Sequence, residues 1–429
     1  MKVLHISTSE TAGRAAIAAR RVVGALSQRG IDARMLVRDR ETTNPRVLQM
    51  PPSAVNKLKF MAERAEILLH QHLKKEHLWA IDAATHGLDV TTHNAFREAD
   101  IIHLHWWNQG MLSLEGLRRI IATGKPIVWT MHDMWPFTGI CHHADRCQRW
   151  LTDECGHCPL ILHAAKENDL SRTVYQHKKA VYDTGHMHFV ACSDWLADLA
   201  RKAPLLQGHD VASIPNAIDT HFFCPADRDE ARQQLGWPKD QRVILFVAHK
   251  VTDPQKGVHY LQRAIRRYAE ATDLGTASLA VALVGGDTAE AAKGFDCPVY
   301  DLGYVTDPER MRLVYRASDM LAAPTLRDNL PNTIVEAMAC GLPCVGFEIG
   351  GLPQMIGHHH NGYLAKYCDA DDFAAGIRWT FMALSMTTPG DRPGSTPRSA
   401  ARLKAITSYS EEAVAAQYLH VYEHALTHH

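Results

Sequence analysis

Asp328 and Glu336 stand eight residues apart in the segment APTLRDNLPNTIVEAMACGLPCVGF, residues 323–347, and their setting suits them to hold hydroxyl groups. Residues 321–324 read as the end of a buried strand. Residues 330–340 carry helix formers, with Pro331 suited to the first helical turn and Gly341 to the C-terminal cap. Asp328 then falls in the loop at a helix mouth, where the backbone N–H groups of Asn329 and Leu330 are placed to meet an anion. Glu336 lies two turns further along. Carboxylates that accept from vicinal hydroxyls, beside a helix mouth that holds phosphate, together describe a nucleotide sugar. A capping Asp and a solvated Glu have the same spacing, so the pattern alone leaves both readings open.

Other residues offer complementary chemistry. Lys256 and Gly257 close the stretch AHKVTDPQKG after an apolar run, and a lysine there can neutralise a departing diphosphate. A solvated loop lysine is the plain alternative. Just upstream stand His249 and Lys250, and whether one of them or neither supplies a second cation stays open in the sequence. Gly285, in the run Val284-Gly285-Gly286-Asp287, lets a base or phosphate approach the backbone, or simply makes a tight turn. His132 and Asp133 end the run WTMHD, at the carboxyl end of a strand. Histidines in such places are commonly hydrogen-bonded structural residues; in a cleft they act on substrate. Gly13 follows the first strand and opens an alanine-rich helix, but the full Gly-x-Gly-x-x-Gly pattern is missing, which argues against a dinucleotide cofactor. Cys141, Cys147, Cys155 and Cys158 are interleaved with His142, His143 and His157. They are candidates for a closed, structural zinc site, with buried thiols or disulfides as alternatives.

Strand-like and helix-like runs alternate to position these groups. Strands are expected at 2–6, 33–37, 101–105, 126–131, 187–191, 242–248, 279–284, 298–302, 320–323 and 343–347. The alternation predicts an α/β architecture of two doubly wound, Rossmann-like domains facing across a cleft, with ligands beyond the carboxyl ends of the strands. Pro204, Gly208, Pro215 and Pro225 mark a linker within 203–227, which gives domains 1–208 and 209–409. Residues 387–401 read as a surface loop and 410–426 as a last helix, with Val414, Tyr418, Val421 and Leu426 at helical spacing. Residues 55–77 carry Leu58, Met61, Ala65, Leu68 and Leu69, a face that packs on the domain core or rests on a membrane surface.

A chain of 429 residues suits two cores, and 46 basic against 47 acidic residues leaves no surplus for a nucleic-acid partner. No apolar run is long enough to span a bilayer and the N-terminus lacks a secretory pattern, so the expected location is cytoplasmic, with peripheral contact at the inner membrane face as the one addition.

The segment from Asp328 to Glu336 resembles the Glu-x7-Glu signature of retaining family 4 glycosyltransferases with the GT-B fold, with Asp328 where that family has its first Glu. The DNLPN wording and the cysteine-bearing stretch after His132 are similar to bacterial exopolysaccharide transferases of the colanic-acid type. The resemblance implies that Asp328 contacts the donor sugar, Glu336 the ribose, Lys256 the leaving diphosphate, and His132, beside Asp133, the sugar hydroxyls. It places the loop at Gly13 against the donor and has the backbone around Gly303 and Tyr304 read the base. It further implies a final helix, 410–429, that returns to the first domain, and no metal for the transfer. The expected partners are a nucleoside-diphosphate sugar and a saccharide or lipid-linked acceptor. A nucleotide-sugar epimerase, a two-carboxylate hydrolase and a non-catalytic binder are the rival readings.

Overall fold

The computed structural model describes the chain apart from residues 52–53, 76, 162–163, 273–277, 388–391 and 429, and apart from the side chains of 54–57. The chain divides into two compact units, Met1–Ala217 with Val414–His429, and Ile218–Ala413.

The first unit holds a seven-stranded parallel sheet of β1 (Lys2–Ser9), β2 (Asp32–Asp39), β3 (Val47–Gln49), β4 (Ile101–Leu104), β5 (Ile127–Met131), β6 (His188–Ala191) and β7 (Asp210–Ser213), in the order β3-β2-β1-β4-β5-β6-β7. Its central strands are buried along nearly their whole length, as parallel strands covered on both faces must be. The order reverses direction between β1 and β4, which puts the loops after these two strands at the switch point of the sheet and the loop after β5 next to it. The helix Glu411–Thr427 packs on this unit through Val414, Ala415, Tyr418, Tyr422 and Ala425. Tyr422 and Ala425 take the inward places; Leu426, which the spacing put inside, is 40% exposed.

The second unit holds six parallel strands, β8 (Arg242–Lys250), β9 (Leu279–Gly286), β10 (Val299–Asp301), β11 (Met320–Ala323), β12 (Cys344–Phe347) and β13 (Gly362–Ala365), in the order β10-β9-β8-β11-β12-β13. Helices Val258–Glu270 and Ala370–Ser385 cover one face, contributing Leu261, Ile265, Phe373 and Ile377 to the core.

Several expectations are corrected. The segment read as linker contains β7, so the first unit runs through Ala217. Within 387–401 lies the start of the helix Pro397–Tyr409, capped by Thr396, while 388–391 fall outside the described residues. The helix Ala54–His70 turns its apolar residues outward: Leu58, Met61 and Leu69 are 66%, 64% and 67% exposed, whereas Glu63, Arg64 and Ile67 are buried. A buried ion pair of Arg64 with Asp82 claims the inward face, so the apolar stripe is left to solvent. The part of 55–77 at residue 76 lies outside the described residues.

Candidate active site

The acid pair sits on the connection from β11 to the helix Asn332–Ala339. Pro331 is the N-cap of that helix, so Glu336 lies about one turn inside it and not two. Asp328 is in the preceding loop, and Lys256 Nζ stands 2.9 Å from its Oδ2 with both side chains largely buried. Two backbone contacts make this meeting possible. Leu326 N donates to Gln255 O at 2.8 Å, and Gly257 lies so close to Pro324 that a Cβ there would come within 1.9 Å of the Pro324 carbonyl oxygen. Gly257 also has φ +70°, which caps the 3-10 turn Pro254–Lys256 and starts the next helix. Behind Asp328, Gly350 plays a similar part, since a Cβ there would meet Asp328 O at 2.0 Å.

Asn329 N, read as an anion donor, donates instead to Asp328 Oδ1 at 3.1 Å. The short aspartate side chain folds back on its own loop, a competition with backbone that Asp and Asn commonly enter. Leu330 packs inward at 5% exposure. Glu336 Oε2 accepts from the buried Tyr315 hydroxyl at 3.0 Å, a partner on the helix Pro308–Ala317 that no local pattern announced.

The remaining donor-side residues separate into two groups. His249 Nδ1 lies 2.8 Å from the Tyr304 hydroxyl, with the rings edge to face, so the end of β8 and the loop after β10 meet there. Gly303, at φ +59°, is in open space and its carbonyl accepts from Gly285 N at 2.8 Å. Gly285 is required for backbone packing: a Cβ there would stand 1.8 Å from Ala248 O. Lys250 is drawn away from this group, paired with Asp287 at 3.1 Å on the surface beside Thr252.

In the first unit, His132 belongs to a file of imidazoles that runs from the carboxyl end of β5 across the end of β4 to the middle of β1. His132 Nε2 lies 3.3 Å from His105 Nδ1, and His105 Nε2 lies 2.9 Å from His5 Nδ1. His103 completes the group, held by Thr130 at 2.7 Å and by the Tyr422 hydroxyl of the last helix at 2.6 Å. Burial keeps these rings neutral, lowering His132 to about 4 against the pull of Asp133, and His5 to about 3. Asp133 does not pair chiefly with His132. Its Oδ2 meets His142 Nδ1 at 2.7 Å and its Oδ1 accepts from Trp135 N at 2.9 Å. His142 Nε2 reaches Asp82 at 2.7 Å, and although burial opposes its charge, the two carboxylates raise it to about 10. His142 is thus a structural cation, not a partner of the cysteines. The pair His103 and His105 in the run HLHWW is the signal that would have disclosed the file.

Gly13 adopts φ +91° at the start of the helix Arg14–Gln28, with nothing within 4 Å of a Cβ position. In the loop before it, the buried Glu10 accepts from the backbone of Glu41 and Thr42. Cys141, Cys147, Cys155 and Cys158 are free thiols. Burial pushes Cys155 up to about 12 and Cys158 up to about 11. Among the described residues, the groups whose ligand atoms converge to within 4.8 Å are His5, His103, His105 and His186, His188, Asp210; the four cysteines form no such group. Among the described residues, no helix is long and apolar enough to cross a membrane.

Two parallel Rossmann-like units define an α/β protein of the GT-B class, and solved glycosyltransferases share that fold with it over the whole chain. Sucrose-phosphate synthase from Thermosynechococcus elongatus matches 100% of both chains at TM-score 0.66 and 18% identity. Anabaena Alr3699/HepE in complex with UDP and glucose matches 99% of this chain and 100% of its own at TM-score 0.60 and 17% identity. Residues 15–222 match the family described as Glycosyltransferase Family 4 and residues 241–382 the one described as Glycosyl transferases group 1, so matches to glycosyltransferase domains run along most of the chain. Its relatives include D-inositol 3-phosphate glycosyltransferase 1 of Catenulispora acidiphila, 29% identical over 65% of this chain and 63% of that protein. Another is the D-inositol 3-phosphate glycosyltransferase of Actinosynnema mirum, 24% identical over 82% of this chain and 80% of that protein. The chain thus spans a little under two thirds of the first of these relatives.

Proposed function

We propose that the chain transfers a sugar, with retention of anomeric configuration, from a nucleoside-diphosphate sugar to a hydroxyl of a saccharide or lipid-linked acceptor in cell-surface glycan synthesis. The observation that carries the donor assignment is the Lys256–Asp328 pair, a largely buried cation beside a carboxylate at the carboxyl ends of β8 and β11. In this reading the glycosidic bond to the diphosphate breaks as the bond to the acceptor oxygen forms, and the acceptor proton leaves with the diphosphate. Lys256 stabilises the charge that develops on the leaving group, a preorganised interaction that needs no reorganisation as the bond breaks. Asp328 accepts from a donor-sugar hydroxyl and Glu336 from the ribose, while His249, Gly303 and Tyr304 line the base. His132, kept neutral and half-buried, offers a ring nitrogen to sugar hydroxyls in the first unit. A nucleotide of the uridine type is supported by the structural likeness to HepE, which was solved with UDP and glucose.

The relatives named for D-inositol 3-phosphate favour a second acceptor, a phosphorylated cyclic polyol. The exposed stripe of Leu58, Met61, Leu69, Leu73 and Trp79 supports the lipid-linked one, because singly scattered apolar side chains are ordinary but a run along one helix and its following turn is not. One assay separates these readings. Nucleoside diphosphate release is followed with UDP-sugars and GDP-sugars, alone and with inositol phosphates, oligosaccharides or a lipid-linked saccharide. Release that depends on an acceptor, with a product whose anomeric coupling matches the donor, is the expected result. Donor conversion without any acceptor would establish an epimerase in its place. Flotation with anionic vesicles tests the membrane contact, and replacing Leu58, Met61 and Leu69 by Gln should abolish it.

A further inference from the structure

The first sheet carries a second constellation at the ends of the strands opposite His132. β6 opens on His188 and β7 on Asp210, which are register partners in the parallel pair, and His186 lies two residues before β6. The last turn of the helix Glu411–Thr427 brings His424 to the same place. All four residues belong to the first unit.

Three imidazole nitrogens surround one carboxylate oxygen. His188 Nδ1 lies 2.9 Å from Asp210 Oδ2, His424 Nε2 lies 3.4 Å from it, and His186 Nε2 lies 3.7 Å from it. The ligand atoms of His186, His188 and Asp210 are all within 4.8 Å of one another. Ligands at 2.0–2.2 Å from a tetrahedral zinc ion are separated from each other by roughly 3.3–3.5 Å, and the three measured distances bracket that edge. Hydrogen bonding accounts for less of the arrangement. One N–H from His188 reaches the oxygen well, and the other two nitrogens stand too far for a good bond. His209 is outside the set, since its Nδ1 accepts from Met187 N at 3.2 Å.

We infer that His186, His188, His424 and Asp210 form a binding site for a divalent transition metal of the zinc type, which clamps the C-terminal helix to the amino edge of β6 and β7. The ligand set selects the metal class, because imidazole suits zinc and its neighbours whereas calcium and magnesium take oxygen. His186, His188 and Asp210 converge already, and His424, which reaches Asp210 at 3.4 Å, has to close onto the ion as the fourth ligand; the sphere is then complete, so the metal stabilises and does not activate water. Its position at the amino edge also keeps it apart from the transfer chemistry at the carboxyl edge.

The test uses the full chain, stripped with chelator and titrated with zinc. The wild-type protein should bind one equivalent through this set and unfold at a higher temperature with zinc than without. In His186→Ala/His424→Ala, two side chains that are partly exposed and free of any catalytic assignment, affinity should fall more than ~100-fold and the thermal response should vanish. Retained acceptor-dependent turnover shows that the variant is folded. Cobalt(II) substitution identifies the ligands, since thiolates give intense near-ultraviolet charge-transfer bands and a histidine–carboxylate set does not. Absence of zinc uptake by the wild-type chain, equal uptake and thermal response in the variant, or a thiolate band from the bound equivalent would each overturn the proposal.

Discussion

Lys256 and Asp328 each reach the site by a different route, and the consequences of removing them differ. Lys256→Ala removes the cation that meets the leaving diphosphate, and turnover should fall ~100- to 1,000-fold with little change in unfolding midpoint, as measured by steady-state release of nucleoside diphosphate. Asp328→Asn keeps the loop's contact to Asn329 N but frees Lys256 of its partner, and should raise KM for the donor more than it lowers kcat. The buried histidines make a pH prediction. Unfolded histidine takes a proton near 6.5, while folded His132 refuses one until about 4 and His5 until about 3, so between those values the unfolded chain holds more protons and stability rises with pH. Glu63 works the other way. Burial, then Asp82, raises it to about 7, so the folded state is the one that holds the extra proton between pH 4.5 and 7, and its contribution falls as pH rises. The expected outcome is a steeper rise of unfolding temperature from pH 4.5 to 7 in Glu63→Gln than in the wild type.

Loops position the site, and their glycines are where a single methyl group has most effect. Gly257→Ala would force a Cβ to within 1.9 Å of Pro324 O at φ +70°, so it should destabilise the second unit by ~2–4 kcal/mol and displace Lys256. Gly303→Ala meets open space at φ +59° and should cost only ~1–2 kcal/mol; urea titration compares the two. The strands that the sequence did not disclose, β3, β7 and β13, are all sheet edges of three or four residues. An edge strand pairs on one side only and needs little apolar patterning, so its signal is short and its pairing comes from the neighbour. The helix Ala54–His70 failed for the opposite reason: its apolar stripe was plain, but the buried Arg64–Asp82 pair decided which face turns inward.

Each unit closes around its own sheet, and the last helix completes the first core from the far end of the sequence. Tyr418 and Tyr422 not only fill that core; they hydrogen-bond Thr130 and His103, which support the imidazole file. Tyr422→Phe keeps the packing and strands the buried His103 nitrogen, so the first unit should lose ~1–3 kcal/mol in urea unfolding while donor affinity in the second unit stays unchanged. By itself the sequence determined the alternation of strands and helices, the count of cores and the residues with leaving-group and hydroxyl chemistry, because these follow from local periodicity, turn residues and side-chain type. Only the tertiary structure decided that Lys256 meets Asp328, that Tyr315 holds Glu336, that Asp133 turns to His142 and that His424 joins Asp210. Those partners lie from nine to more than two hundred positions apart. They meet because parallel strands bring the loops at one end of a sheet together, a proximity that no local pattern encodes.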